Sequence, residues 1–199
     1  MRVMVLFLLL TLTQVSSAPE RAIASAVDAG NAAALALLET AVNINSGTHN
    51  FEGVRAVADL FRKEFDALGF KTTWVDGAGF KRAGHLVADH PGKGPRIILI
   101  GHLDTVFERD SPFQKFRRID EKTATGPGII DMKGGDVIII AALKALKAAG
   151  TLDDMNVIVV MTGDEEDSGD PQAAARAALV GAAQGAQYAL GFEDGPGTR

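Results

Sequence analysis

The chain has 199 residues, 47% of them hydrophobic and 23% charged, with a net charge of −5. That length suits one domain with a sizeable core, and an acidic balance without a basic cluster argues against nucleic acid as a partner. Cysteine is absent, which excludes disulfides, thiolate zinc sites and a cysteine nucleophile, so any metal must be held by His, Asp and Glu.

At the N-terminus, Arg2 precedes an almost wholly apolar run, Val3–Leu12, and small residues follow at Ser16, Ser17 and Ala18. This is the layout of a secretory signal, and the run is too short to span a membrane. Cleavage after Ser17 is favoured over Ala18, because Pro19 would follow the latter; Ala24-Ser25-Ala26 is a second candidate. The expectation is a signal peptide over residues 1–17, an exported protein (periplasmic or secreted) and no membrane attachment after cleavage.

Residues from about Ala26 to Val42 read as a helix with Leu35, Leu38 and Val42 on its core stripe. The loop Asn43–Asn50 closes it. Asn50 is placed to cap a second helix whose stripe is Val54, Val57, Phe61, Phe65 and Leu68, stopped by Gly69. Phe70–Val75 alternates as a strand, and a second strand covers His85–Asp89. His85 and His90 flank it with no carboxylate at metal spacing, so they read as surface or structural histidines. The apolar run Ile97–Ile100, ended by Gly101, is the central strand. A polar, irregular stretch runs to Thr125, and GPGIIDMKGG (Gly126–Gly135) opens a helix stopped by Gly150. The strand Asn156–Met161 ends in TGDEEDSGD, Asp170-Pro171 starts a helix to about Gly181, and Gln187–Phe192 is the last strand. Such alternation predicts an α/β fold, a three-layer sandwich on a largely parallel mixed sheet.

Chemistry-bearing residues gather at the ends of three of these strands: His102 and Asp104, then Glu165 and Glu166, then Glu193, with Asp131 at a Gly-rich turn. Residues i and i+2 of extended backbone point the same way, so Asp104 can hold one ring nitrogen of His102 and leave the other for a metal. Alone, H-x-D is also a polar turn and the Glu pair a solvated acidic loop. Together they place several carboxylates in the crevice at the carboxyl ends of strands, where a divalent cation relieves their repulsion. His and carboxylate donors suit zinc, with cobalt or manganese as substitutes. Asp131, flanked by glycines, suits a carboxylate bridging two metals. One residue of the Glu165–Glu166 pair can bind metal while the other shuttles protons.

IGHLDTVF, GPGIIDMKGG, TGDEE and FED, in this order, resemble the co-catalytic zinc hydrolases that include glutamate carboxypeptidases, aminoacylases, acetylornithine deacetylases and succinyl-diaminopimelate desuccinylases. The resemblance runs from about Ala26 to the end, and VNINSGT with the signal is most like the exported glutamate carboxypeptidase branch. It implies a zinc-exopeptidase-like fold and a two-zinc amidohydrolase acting on a peptide or an N-acyl amino acid. His102 and Glu193 would hold one metal, Glu166 the second, and Asp131 would bridge them. Asp104 would orient His102, and Glu165 would be the general base. Family members also carry a histidine ligand near the C-terminus and an inserted lid and dimerisation domain. No histidine follows His102 here, so residues 18–199 are expected to be a partial catalytic domain, with a homodimer expected only where that insert is present. The alternatives are an N-acyl-amino-acid deacylase with the same site, or an inactive metal-binding fragment.

Overall fold

The computed structural model describes residues 17–193 and residue 195. Except for Ser17, the expected signal peptide lies outside the described residues. Helix α1 spans Ala18–Val42, starting earlier than the apolar stripe alone predicts. Its start is set by a capping box: the Ser17 hydroxyl accepts from the Glu20 N–H, and the Glu20 carboxylate accepts from the Ser17 N–H at 2.6 Å. The second candidate cleavage point therefore falls inside this helix. The buried stripe is also shifted: Ala34, Leu37 and Leu38 pack on the core, whereas Leu35 is 48% exposed.

Helix α2 (Phe51–Ala67) begins where the Asn50 side chain accepts from the Gly53 N–H at 3.1 Å. It buries Val54, Val57, Phe61 and Phe65 completely. Strands β1 (Lys71–Asp76) and β2 (Gly84–His90) form an antiparallel pair, and β3 (Arg96–His102) is the central strand of the sequence reading. Short strands β4 (Arg117–Arg118) and β5 (Ala124–Thr125) pair within the stretch expected to be irregular. Their lengths are too small to leave a periodic signal. Helix α3 (Gly134–Ala148), strand β6 (Asn156–Thr162), helix α4 (Gln172–Ala183) and strand β7 (Tyr188–Gly191) complete the order.

The main sheet runs β1-β2-β6-β3-β7. Because β1 and β6 both oppose β2 while β3 is parallel to β6 and β7, β2 alone runs against the others. Helices α1, α2 and α3 cover one face, packing on Leu86, Leu99, Val157, Val159 and Met161. Leu179 of α4 packs on the other face against Ile98, Ile158 and Val160. This is the three-layer sandwich that the alternation predicts. It brings the carboxyl ends of β3, β6 and β7 to one edge. Burying a phenylalanine such as Phe61 or Phe65 contributes about 1.5–3 kcal/mol, so the α2 layer holds firmly to the sheet.

The loop after β6 approaches β2 closely at Gly163. A Cβ there would lie 2.4 Å from the Gly84 carbonyl oxygen and 2.7 Å from Val54 Cγ1. Gly163→Ala should therefore destabilise the fold by about 1–3 kcal/mol through overpacking. Urea unfolding of the two proteins checks this, and equal midpoints would contradict it.

Candidate metal centre

Strand β3 ends on His102, which is buried. Its Nδ1 lies 3.0 Å from the Asp104 carbonyl oxygen and 3.5 Å from Asp104 Oδ1. The nearer orienting partner is thus the main chain of Asp104, with its carboxylate just beyond. That contact fixes the ring and turns Nε2 toward the cleft. There Nε2 meets Asp131 Oδ1 at 3.0 Å and Glu193 Oε1 at 3.3 Å. One donor atom from each of His102, Asp131 and Glu193 lies within 4.8 Å of the others.

Asp131 reaches this position from an irregular turn, Ile129–Lys133, that leads into α3. The turn is entered through Gly128 at φ +72, a left-handed backbone where a Cβ would also lie 2.6 Å from Thr105 Cγ2. Lys133, fully buried, donates from Nζ to the carbonyls of Ala41 at 3.1 Å and Ile44 at 2.9 Å. It satisfies acceptors at the C-terminal end of α1 and ties that helix to the Asp131 turn. Burial lowers its pKa to about 8, against the attraction of Asp136.

Glu165 and Glu166 face different clefts. Glu165 lines one with His102, Thr162 and Glu193, and Glu166 lines another with Asp131. Glu166 is therefore outside the His102 group but beside its Asp131 edge. Both backbone N–H groups donate to Asp104, Glu165 to Oδ1 at 3.1 Å and Glu166 to Oδ2 at 3.2 Å.

The charges are unbalanced. Burial opposes charge on His102, but the hydrogen bond and charge of Asp104, helped by Asp136 and Glu193, raise its pKa to about 10. Burial, then the Asp131 carboxylate, raises Glu166 to about 7. Burial also raises Glu193, with Asp131 and Glu165 adding to it against the pull of His102. In Asp104 the hydrogen bonds from His102 and Thr48 outweigh burial and hold its carboxyl below the usual range. Carboxylates that hold a proton on one imidazole this firmly would hold a divalent cation in the same place. One imidazole nitrogen and two carboxylate oxygens fit zinc, or another ion tolerant of mixed nitrogen and oxygen donors.

Several functional neighbours are invisible to the motif reading. Thr48 donates from Oγ1 to Asp104 Oδ2 at 2.7 Å, across 56 positions of sequence. His85 is buried and structural: Nε2–H donates to the Ala175 carbonyl at 2.8 Å, and Nδ1 accepts from the Gly163 N–H at 3.2 Å. His90, expected to be a surface or structural residue, is buried with Nδ1 donating to the Met155 carbonyl at 3.0 Å. Asp164, wholly buried, accepts from Arg176 Nη1 at 2.6 Å and from the Gly169 N–H at 2.8 Å.

The mixed α/β sandwich gathers a histidine and carboxylates at its strand ends, a donor set suited to a divalent metal. Residues 98–198 match the profile of Peptidase family M20/M25/M40, and the chain belongs to that family, whose members are metal-dependent hydrolases. Carboxypeptidase G2 of Pseudomonas sp. (strain RS-16) is 33% identical over 162 residues, which is 81% of this chain and 38% of that protein. Succinyl-diaminopimelate desuccinylase of Acidiphilium cryptum (strain JF-5) is 35% identical over 113 residues, 54% of this chain and 28% of the relative. Among solved structures, human carnosine dipeptidase 1 superposes with a TM-score of 0.74 at 18% identity, covering 87% of this chain and 41% of that one. The chain spans less than half the length of each.

Behind the cluster sits Asp136, fully buried, with neither carboxylate oxygen hydrogen-bonded. Burial raises its pKa well above normal, opposed by His102 and reinforced by Glu193. A folded-state pKa above the unfolded one means the unfolded chain releases this proton first, so stability falls as pH rises above about 4. Asp136→Asn removes that loss. The variant should match the parent near pH 4 and unfold at a higher temperature at pH 7–8, by thermal melts at both pH values. An equal shift at both would show that packing, not ionisation, is responsible.

Proposed function

We propose that this chain carries the metal-binding core of an exported zinc-dependent amide hydrolase of the carboxypeptidase type, cleaving a C-terminal residue from a peptide. The observation that carries the reading is the approach of His102, Asp131 and Glu193 from three separate elements to one point. The likeness to carboxypeptidase G2 supports the carboxypeptidase assignment. The desuccinylase relative supports N-acyl amino acids as the alternative substrate class. Export rests on the signal-like residues 1–17, with 18–199 as the partial catalytic domain.

In this reading His102, Asp131 and Glu193 would hold one zinc, and Asp131 with Glu166 would hold a second. Bound metal supplies Lewis-acid polarisation of a water and of the scissile carbonyl. Asp104 keeps the His102 ring turned so that Nε2 faces the ion. Glu165, exposed at the cleft and anchored by its backbone to Asp104, takes the proton from the attacking water and passes it to the leaving amine. Glu166 faces the Asp131 side, which frees Glu165 for this work.

The donor count makes the two metal positions unequal. The first has an imidazole and two carboxylates, whereas the second has Asp131 and Glu166 among the described residues. Calorimetric titration with zinc should show one tight ion per chain, and His102→Ala should abolish it. Binding at pH 8 should release about one proton, because His102, with its pKa raised to about 10, is protonated without metal and neutral with it. Repeating the titration in buffers of different ionisation enthalpy reads this directly. Two equally tight ions, or binding with no proton release, would contradict the ligand assignment. In protein that turns over substrate, Glu165→Gln should keep zinc and slow hydrolysis about 10²–10⁴-fold. Glu166→Gln should lower zinc content instead, and equal loss of metal in both variants would reverse the roles.

A further inference from the structure

Beside the Asp131 edge of the cluster opens a second cleft of about 360 Å³. Its walls are Val106, Phe107, Phe113, Ile129 and Ile130, and Asp131 and Glu166 stand at one side. Phe107 and Phe113 meet edge to face with centroids 5.1 Å apart, forming an aromatic wall. On the rim, Val106 and Ile130 are 63% and 66% exposed. Large apolar residues left in water beside carboxylates at a catalytic edge are the signature of a site that takes an apolar group.

From this geometry we infer that the cleft is a specificity subsite for an uncharged apolar side chain of the substrate, branched aliphatic or aromatic, and that it rejects acidic ones. The inference rests on the metal-centre reading for its place beside the scissile bond, but not for the binding itself. Two observations select the ligand. Among the described residues no lysine, arginine or histidine lines the cleft, so an acidic side chain would find no counter-ion from them. In the metal-free chain the carboxylates of Asp131 and Glu166 would also repel it. Aliphatic and aromatic walls instead reward burial of hydrocarbon, and the cleft falls within the roughly 300–1,000 Å³ range of small-molecule sites.

The test uses three neutral-backbone probes that do not need the metal: N-acetyl-phenylalaninamide, N-acetyl-glycinamide and the α-amide of N-acetyl-glutamate. Each is titrated into the full chain by ligand-observed NMR, with and without zinc. The phenylalanine probe should bind about tenfold or more tightly than the glycine probe. It should show contacts to the methyls of Val106 and Ile130, and the glutamate probe should bind no better than glycine. Val106→Asn, at an exposed position that leaves folding intact, should erase most of the phenylalanine preference. Val180→Asn, exposed on α4, should leave it unchanged. Equal binding of the three probes, or contacts that avoid Val106 and Ile130, would overturn the inference. A chain that binds the phenylalanine probe as described but takes up no zinc would remove the metal-centre reading and leave the subsite standing. Zinc uptake without probe preference would do the reverse.

Discussion

A carboxylate shut away from water must find its hydrogen bonds inside the protein, and Asp104 finds them on two segments distant from its own strand end. Its oxygens accept from Thr48 Oγ1 in the loop between α1 and α2, and from the Glu165 and Glu166 N–H groups after β6. His102 Nδ1, on the same strand end, stands 3.5 Å away. The loop that supplies Thr48 is itself fastened to the chain beyond Asp104. Asn45 donates to the Phe107 carbonyl at 2.9 Å, and the Thr105 N–H donates to the Ser46 carbonyl at 2.9 Å. One buried charge thereby sets the start of the loop bearing both glutamates, beside the His102 ring that the Asp104 carbonyl holds. Removing a partner from such a buried charge typically costs about 3–5 kcal/mol, which is why the surroundings satisfy it so fully.

The segment after β6 is held a second time from the opposite side of the sheet. Asp164 takes the Arg176 guanidinium from α4 and the Gly169 N–H, while His85 of β2 accepts from Gly163. Residues 163–169 are thus clamped between β2, α4 and Asp104. Backbone fixed at both ends leaves Glu165 and Glu166 no common direction, and they open onto different clefts. The sheet order makes this clamp available. Because β2 lies next to β6 and runs against it, His85 near the start of β2 is level with the end of β6.

How much of this was legible in the residues follows from distance along the chain. Strand ends were legible, because an apolar run stopped by glycine or by charge announces itself within a few positions. His102, Asp131, Glu166 and Glu193 could be expected to converge, since the carboxyl ends of neighbouring strands in an α/β sheet share one edge. His102, Asp131 and Glu193 do meet, whereas Glu166 lines the neighbouring cleft. Thr48 was not legible as a partner of Asp104: a threonine in a polar loop carries no local mark of a contact 56 residues away. Arg176 was hidden in an alanine-rich helix for the same reason. Asp136 was hidden differently. It follows DMKGG, where the helix start invites an acidic residue, and an acid in a first helical turn ordinarily faces water. Here the turn faces inward because Gly101 leaves the room; a Cβ at Gly101 would lie 2.2 Å from Asp136 Oδ1. The start of α1 lies upstream of the apolar stripe because the Ser17–Glu20 capping box sets it, a signal independent of hydrophobic periodicity.

The same crowding of acids explains why the fold tolerates its own centre. Asp104, Asp131, Asp136 and Glu193 surround one imidazole, and His102 answers them by holding a proton up to about pH 10. A single proton is a modest counter-charge for so many carboxylates, and Asp136 and Glu193 respond by shifting toward their neutral forms. A divalent ion held by His102, Asp131 and Glu193 would supply two positive charges where the proton supplies one, and so would favour the ionised form of carboxylates that the metal-free protein holds back. Metal binding and folding are in this way coupled through the same few groups. The unpaired Asp136 lies behind that group: no donor reaches it, and burial favours its neutral form in the metal-free protein.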